Sequence, residues 1–212
     1  MITVKEIFSK KEFLSFVKFP FKLYKGSKYW VPSFIDEELA LMDKKINPVY
    51  KNADAKFFLA YKNGKIVGRI AAMINWIEVK KIKKNKVRFG WYDVIDDIEV
   101  SKLLIEVVIN YGKENNLNFV EGPVGFSNLD KAGLLIKGYD ELNTMITLYN
   151  YPYYSNHLEK LKFKKLAQWV EYEIKVESFE NSPEKVKKFL ELIKKRYSLS
   201  VINFNSSKKI IP

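Results

Sequence analysis

Residues 55–75 read AKFFLAYKNGKIVGRIAAMIN. Two apolar runs, Ala55 to Tyr61 and Lys65 to Asn75, flank Lys62-Asn63-Gly64. A two-residue hairpin turn needs positive φ at both central positions, which Asn and Gly tolerate best. Asn-Gly between apolar runs therefore predicts a tight antiparallel hairpin. A sheet that starts this way sets the frame for the rest of the chain.

Upstream of the hairpin, Ile2 to Phe8 alternates as a short strand. Ser9 with Glu12 three positions on has the form of a capping box for a helix carrying Phe13, Phe16 and Val17. Pro20 interrupts that helix or starts another. Tyr29 to Pro32 reads as extended, because a residue before proline is pushed out of the helical region. Ser33 to Lys44 reads as a helix with acidic residues in its first turn.

Downstream, a lysine-rich link (Val79 to Lys86) leads to a third run, Val87 to Val94. Asp96 or Asp97 caps a helix from Ile98 to about Glu114, whose buried face is Leu103, Leu104, Val107, Val108 and Tyr111. A short strand, Asn118 to Glu121, breaks at Gly122-Pro123. After a loop-rich stretch come a helix (Tyr153 to Leu161), an alternating strand (Ala167 to Val176), a helix opened by Ser182-Pro183-Glu184, and a last strand (Leu199 to Phe204). The fold class is α/β in the α+β sense: a mixed sheet with an antiparallel start and a strand-helix-strand crossover. Ligands of such sheets bind at the carboxyl ends of strands. That locates the site at Asp93 to Asp97 and Gly122 to Asn128.

Composition removes several chemistries. The chain has 212 residues, no cysteine and one histidine, His157. Disulfides, thiolate metal sites, cysteine nucleophiles and histidine pairs are excluded, and no metal site is expected. No apolar run is long enough to span a membrane and no signal-like segment is visible, so a cytoplasmic protein is expected. The net charge is +12. Only Arg69, Arg88 and Arg196 are arginines, and the remaining positive charge is lysine. Lysine lacks the fork that reads phosphates and guanine, so a solvated lysine surface is expected ahead of a nucleic-acid partner.

Three segments resemble the GNAT acyl-CoA N-acyltransferase superfamily. Asn63 to Ile70 is similar to its central strand pair, Phe119 to Pro123 to its fifth strand, and Leu158 to Phe163 to the end of the following helix. Pro20 to Tyr24 with Trp30-Val31-Pro32, Gly122 to Asp140, and Tyr149 to Tyr154 resemble an uncharacterised bacterial GNAT-like group. The resemblance implies a mixed, mostly antiparallel central sheet flanked by helices over residues 1–176. Residues 177–212 either complete that sheet or begin a second domain. It also implies direct acyl transfer from acyl-CoA or acetyl-CoA to the amine of a small molecule or a protein. The alternatives are a non-catalytic binding module on the same fold and a weak nucleic-acid binder.

Two departures from the family accompany the resemblance. The loop that would cradle the CoA pyrophosphate reads Asp93 to Glu99, without glycine and with four carboxylates. Two like charges about 5 Å apart cost on the order of 1 kcal/mol even in water. The family's proton-donating tyrosine is Leu158 here, and its glycine is Lys162. Tyr153 and Tyr154, one turn earlier, stand in as proton donors. Asp93 is the candidate base, and backbone N–H groups near Tyr92 to Val94 are candidates for the oxyanion. Gly122, Gly125, Ser127 and Asn128 form the best anion-cradling loop. Asp96, Asp97 and Glu99 read as ordinary acidic residues at a helix start, and His157 as exposed.

Overall fold

Asn63 and Gly64 take φ of 52° and 74°, closing the hairpin as predicted. The computed structural model describes residues 1–127, 130–144, 147–175, 181–200 and 202–206. One sheet has the order β1 (Ile2–Glu6), β2 (Ala53–Lys62), β3 (Lys65–Asn75), β4 (Lys86–Val94) and β5 (Phe119–Glu121). The first four strands pair antiparallel and β5 joins β4 in parallel. This is the mixed, mostly antiparallel sheet expected from the sequence.

The helices of this part are α1 (Lys10–Leu23), α2 (Ile35–Met42), the short α3 (Trp76–Lys80), α4 (Ile98–Glu114) and α5 (Tyr153–Lys160). The Ser9–Glu12 capping box is formed, with both reciprocal hydrogen bonds. Asp97 caps α4 and accepts the Glu99 N–H at 3.1 Å. α4 is the crossover between β4 and β5 and covers one face of the sheet. Val100, Leu104, Ile105 and Val108 pack there on Ile70, Ile74, Phe89 and Val94. Each such side chain contributes about 1.5–3 kcal/mol by leaving water. A Cβ on Gly112 would lie 2.8 Å from the Val87 side chain, so glycine lets α4 settle on β4. The other face is covered by α1 and α2, with Phe16, Val17 and Met42 on Phe57, Leu59 and Met73.

Pro20 lies inside α1 and does not end it. A proline costs the helix one hydrogen bond, here to the carbonyl of Phe16. That carbonyl instead accepts from Arg69 Nη1 at 2.9 Å.

The chain divides into two units, Met1–Lys164 and Lys165–Pro212. The second holds α6 (Glu184–Tyr197). Its first turn follows Pro183, but Ser182 makes no cap; Pro183 takes the cap position without a side-chain bond. The strand expected over 167–176 is absent from its described part, 167–175, which is irregular and exposed; Trp169 is 70% exposed. The described part of 199–204 is irregular as well. An alternating run becomes a strand only beside a partner edge, and the described residues of this unit hold no strand to supply one. No helix among the described residues is long and apolar enough to cross a membrane.

Candidate functional site

β5 pairs with β4 only from Lys86 to Arg88. The chain then follows β4 one step further, where the Val124 N–H donates to the Phe89 carbonyl at 2.8 Å. It turns away there, and β4 from Gly90 to Val94 has no strand on that side among the described residues. A cleft of about 710 Å³ opens at this end of the sheet. Arg69, Trp91 and Asp93 line its floor, and Phe21, Trp30 and Phe34 its walls.

Asp93 is buried at the cleft floor and held from two sides. Arg69 Nε donates to its Oδ2 at 2.7 Å and the Tyr24 hydroxyl to its Oδ1 at 2.8 Å. The Tyr24 and Tyr154 hydroxyls are 2.8 Å apart, and the Val94 N–H donates to the Tyr154 hydroxyl at 3.0 Å. With one proton on each phenol the direction is fixed: Val94 N–H to Tyr154, Tyr154 to Tyr24, Tyr24 to Asp93. Burial, with the negative charge of Asp93 next, pushes both phenols well above the ordinary tyrosine range. They stay neutral and act as donors. Tyr153 donates to the Val94 carbonyl at 2.6 Å. Both edge groups of Val94 are thus occupied by tyrosines of α5.

Of the residues singled out in the sequence, Asp93, Val94, Tyr153 and Tyr154 come together here. Tyr92 belongs to the opposite face of the sheet through its side chain, which donates to Ser101 Oγ at 2.8 Å. Burial pushes that phenol up as well. Tyr24 and Arg69 complete the cluster, and the sequence reading missed both as site residues. Tyr24 lies 130 positions from Tyr154, a separation that no local pattern bridges. Pro20, which leaves the Phe16 carbonyl to Arg69, was the available signal.

The entrance to α4 does not fit a pyrophosphate. Four of its N–H groups are spent internally: Ile95 on the Val67 carbonyl, Asp97 on Ile95, Glu99 on the Asp97 side chain, Val100 on the Asp97 carbonyl. Asp97 also pairs with Lys62 at 2.8 Å, and that hydrogen bond, foremost, holds its carboxyl below the usual range. Asp96 accepts from His157 Nε2 at 3.1 Å. His157 is buried, contrary to the expected exposure. Its Nδ1 lies 2.8 Å from Ser101 Oγ, so a line of hydrogen bonds runs Tyr92, Ser101, His157, Asp96. The polar sequence around His157 concealed a helix face that packs on α4.

The loop from Gly122 is locked as well. A Cβ on Gly122 would collide with the Phe89 carbonyl, and one on Gly125 with Asp130. The Ser127 N–H donates to Asp130 Oδ2 at 2.8 Å. The Gly125 and Phe126 carbonyls accept from the buried Arg88, which pairs with Glu78 at 2.8 Å. Its carbonyls face a cation and one of its N–H groups faces a carboxylate, which opposes an anion cradle. Asn128 lies outside the described residues.

No family model matches the chain. In sequence it is similar to Protein YghO of Escherichia coli K12, 27% identical over 200 residues, covering 94% of this chain and 51% of that protein. It is similar also to the bacterial ceramide synthase of Caulobacter vibrioides, 26% identical over 130 residues, covering 61% of this chain and 34% of that protein. The chain thus spans about half of the first relative's length and a third of the second's. Among solved structures, it is similar to an aminoglycoside acetyltransferase, meta-AAC0020, from an uncultured soil metagenomic sample in complex with sisomicin. That match has a TM-score of 0.48 and 13% identity, and covers 83% of this chain and 97% of the other. A GNAT-family acetyltransferase of Staphylococcus aureus Mu50 matches with a TM-score of 0.41 and 21% identity, covering 58% and 74%.

Proposed function

We propose that the unit Met1–Lys164 transfers an acyl group directly from a thioester donor of the acyl-CoA kind to an amine bound in the aromatic cleft. The observation that carries this reading is the placement of Asp93. It is a buried carboxylate lining the cleft, tied through two phenols to the Val94 N–H at the end of β4. The aromatic walls favour an amine on an apolar skeleton. Ceramides are amides of long-chain amino alcohols, so the likeness to the Caulobacter protein supports the same class of acceptor.

In this reading the amine nitrogen attacks the acyl carbon, the C–N bond forms and the C–S bond breaks. Asp93 takes the proton released by the nitrogen. Arg69 keeps that carboxylate aimed at the cleft. The carbonyl oxygen takes over the Val94 N–H from Tyr154 as charge develops on it. Tyr154, with Tyr153 beside it, supplies the proton to the departing sulfur. The proton held by Asp93 reaches Tyr154 through Tyr24, so every residue of the relay ends in its starting state. No cysteine and no covalent enzyme intermediate are needed.

The test is amide formation from long-chain acyl thioesters and a panel of amines, read by mass spectrometry. Asp93→Asn should lower kcat at least 100-fold, the usual weight of a positioned base. If no donor–acceptor pair gives amide above the protein-free control, the reading fails. A non-catalytic binding module then stands in its place, a second reading favoured by the Val94 amide being held by Tyr154.

A further inference from the structure

A phosphorylated ligand of this cleft has to place its phosphate somewhere other than the entrance to α4, where Asp96, Asp97 and Glu99 gather. A second hollow, of about 490 Å³, lies just past the end of α1. Lys25, Ser27, Lys28 and Tyr139 line it, and it shares Tyr29 and Tyr149 with the main cleft. No carboxylate is among its lining residues. Lys25 and Lys28 are exposed, and among the described residues neither is paired with an acidic side chain. The turn that presents them is built. Gly26 takes φ of 88°, the Ser27 N–H donates to the Tyr24 carbonyl at 2.9 Å, and Ser27 Oγ accepts from the Tyr29 and Trp30 N–H groups at 3.3 and 3.2 Å. Trp30 then stacks on Tyr24. The two ammonium groups therefore sit on a turn anchored to the relay residue itself.

We propose that the Lys25–Lys28 turn binds a phosphate ester whose organic end lies in the aromatic cleft. Lysine suits a phosphate as a strong, mobile point charge. The proposal rests on the acyl-transfer reading only for the source of the phosphate. That source is either the phosphopantetheine arm of the donor or a phosphorylated head on the acceptor.

The experiment is calorimetric titration of the whole chain with 4′-phosphopantetheine, pantetheine, a long-chain alkyl phosphate and the matching alcohol. One phosphorylated probe should bind at least tenfold more tightly than its phosphate-free partner, an advantage that shrinks with salt. The variant K25E/K28E should lose that advantage while keeping its melting temperature, and K62E at the α4 entrance should keep it. An advantage confined to phosphopantetheine assigns the site to the donor; one confined to the alkyl phosphate assigns it to the acceptor. Equal binding of both members of each pair, no binding of any phosphorylated probe at millimolar concentration, or an advantage retained in K25E/K28E overturns the proposal. If the advantage holds and depends on the lysines while no amide forms, the acyl-transfer reading fails and this site stands. If amide forms at an unchanged kcat/KM in K25E/K28E, the site fails and acyl transfer stands.

Discussion

Arg69 donates through Nη1 to the carbonyl of Phe16, the very carbonyl that Pro20 leaves without a helical partner. The same guanidinium donates through Nε to Asp93. A break in the hydrogen bonding of α1 thus fixes the arginine, and the arginine fixes the carboxylate at the cleft floor.

Removing the cation should expose how much Asp93 depends on it. Both side chains are largely buried, at 10% and 13% exposure. Arg69→Met leaves a buried carboxylate with Tyr24 alone and should cost about 3 kcal/mol in urea unfolding. The double variant Arg69→Met/Asp93→Leu should be more stable than the sum of the single effects. Simple additivity would show that the pair is not coupled.

Tyr24→Phe deprives Asp93 of a donor and Tyr154 of an acceptor at once. A loss of about 1–2 kcal/mol is expected. Tyr154→Phe should cost a similar amount by stranding the Val94 N–H. A double-mutant cycle on the two should give a coupling of at least about 0.5 kcal/mol. Zero coupling would mean that the 2.8 Å contact contributes nothing.

Alkali should unfold the protein cooperatively with phenol ionisation. Tyr24, Tyr92, Tyr153 and Tyr154 are held above the ordinary value of 10.0, and Tyr111 is pushed up to about 12, all chiefly by burial. A phenol raised in the folded state binds its proton more tightly there than in the unfolded chain. Its contribution is therefore complete below pH 10 and falls as pH rises beyond it. Absorbance at about 295 nm should track loss of ellipticity above pH 10. Phenolate appearing near pH 10 with the fold intact would contradict the burial.

Lys162 takes φ of 67° after α5, in the position where the resembling family carries glycine. Its N–H donates to the Glu159 carbonyl and that of Phe163 to Leu158, so the helix ends in a Schellman turn. A lysine pays in backbone strain there. Lys162→Gly should raise stability by about 1 kcal/mol and the melting temperature by about 2–4 °C. A lower melting temperature would show that the lysine side chain contributes more than the strain costs.

What could be read in the sequence was local. Asn63-Gly64, the Ser9–Glu12 box and the Asp97 cap each act within a few residues, and each element formed as expected. Periodicity gave part of the α4 face: Leu104, Val108 and Tyr111 are buried as expected, but Leu103 and Val107 are half-buried and Val100 and Ile105 are buried in their stead. The relay was only half legible: Asp93, Tyr153 and Tyr154 could be named, but Tyr24 and Arg69 reach Asp93 across 69 and 24 positions. His157 was misread because burial by α4 is invisible among polar neighbours. The run at 167–175 shows the converse, where alternation without a partner edge gives no strand.

The register of β4 against β3 decides which face receives Asp93. Arg69 pairs with Asp93 and Ala71 with Gly90, so three steps along β4 match two along β3, and Trp91 sits at φ of 45°. Counting by twos from Val87 and Phe89 would send Asp93 beneath α4. The inserted step reverses the parity, delivering the carboxylate to the α1 layer and Val94 to the α5 layer. Deleting the extra residue would restore regular alternation and keep Asp93 on the cleft side, whereas pairing this stretch regularly at its full length would trade the acid for a phenol there and bury a charge among the leucines and valines of α4.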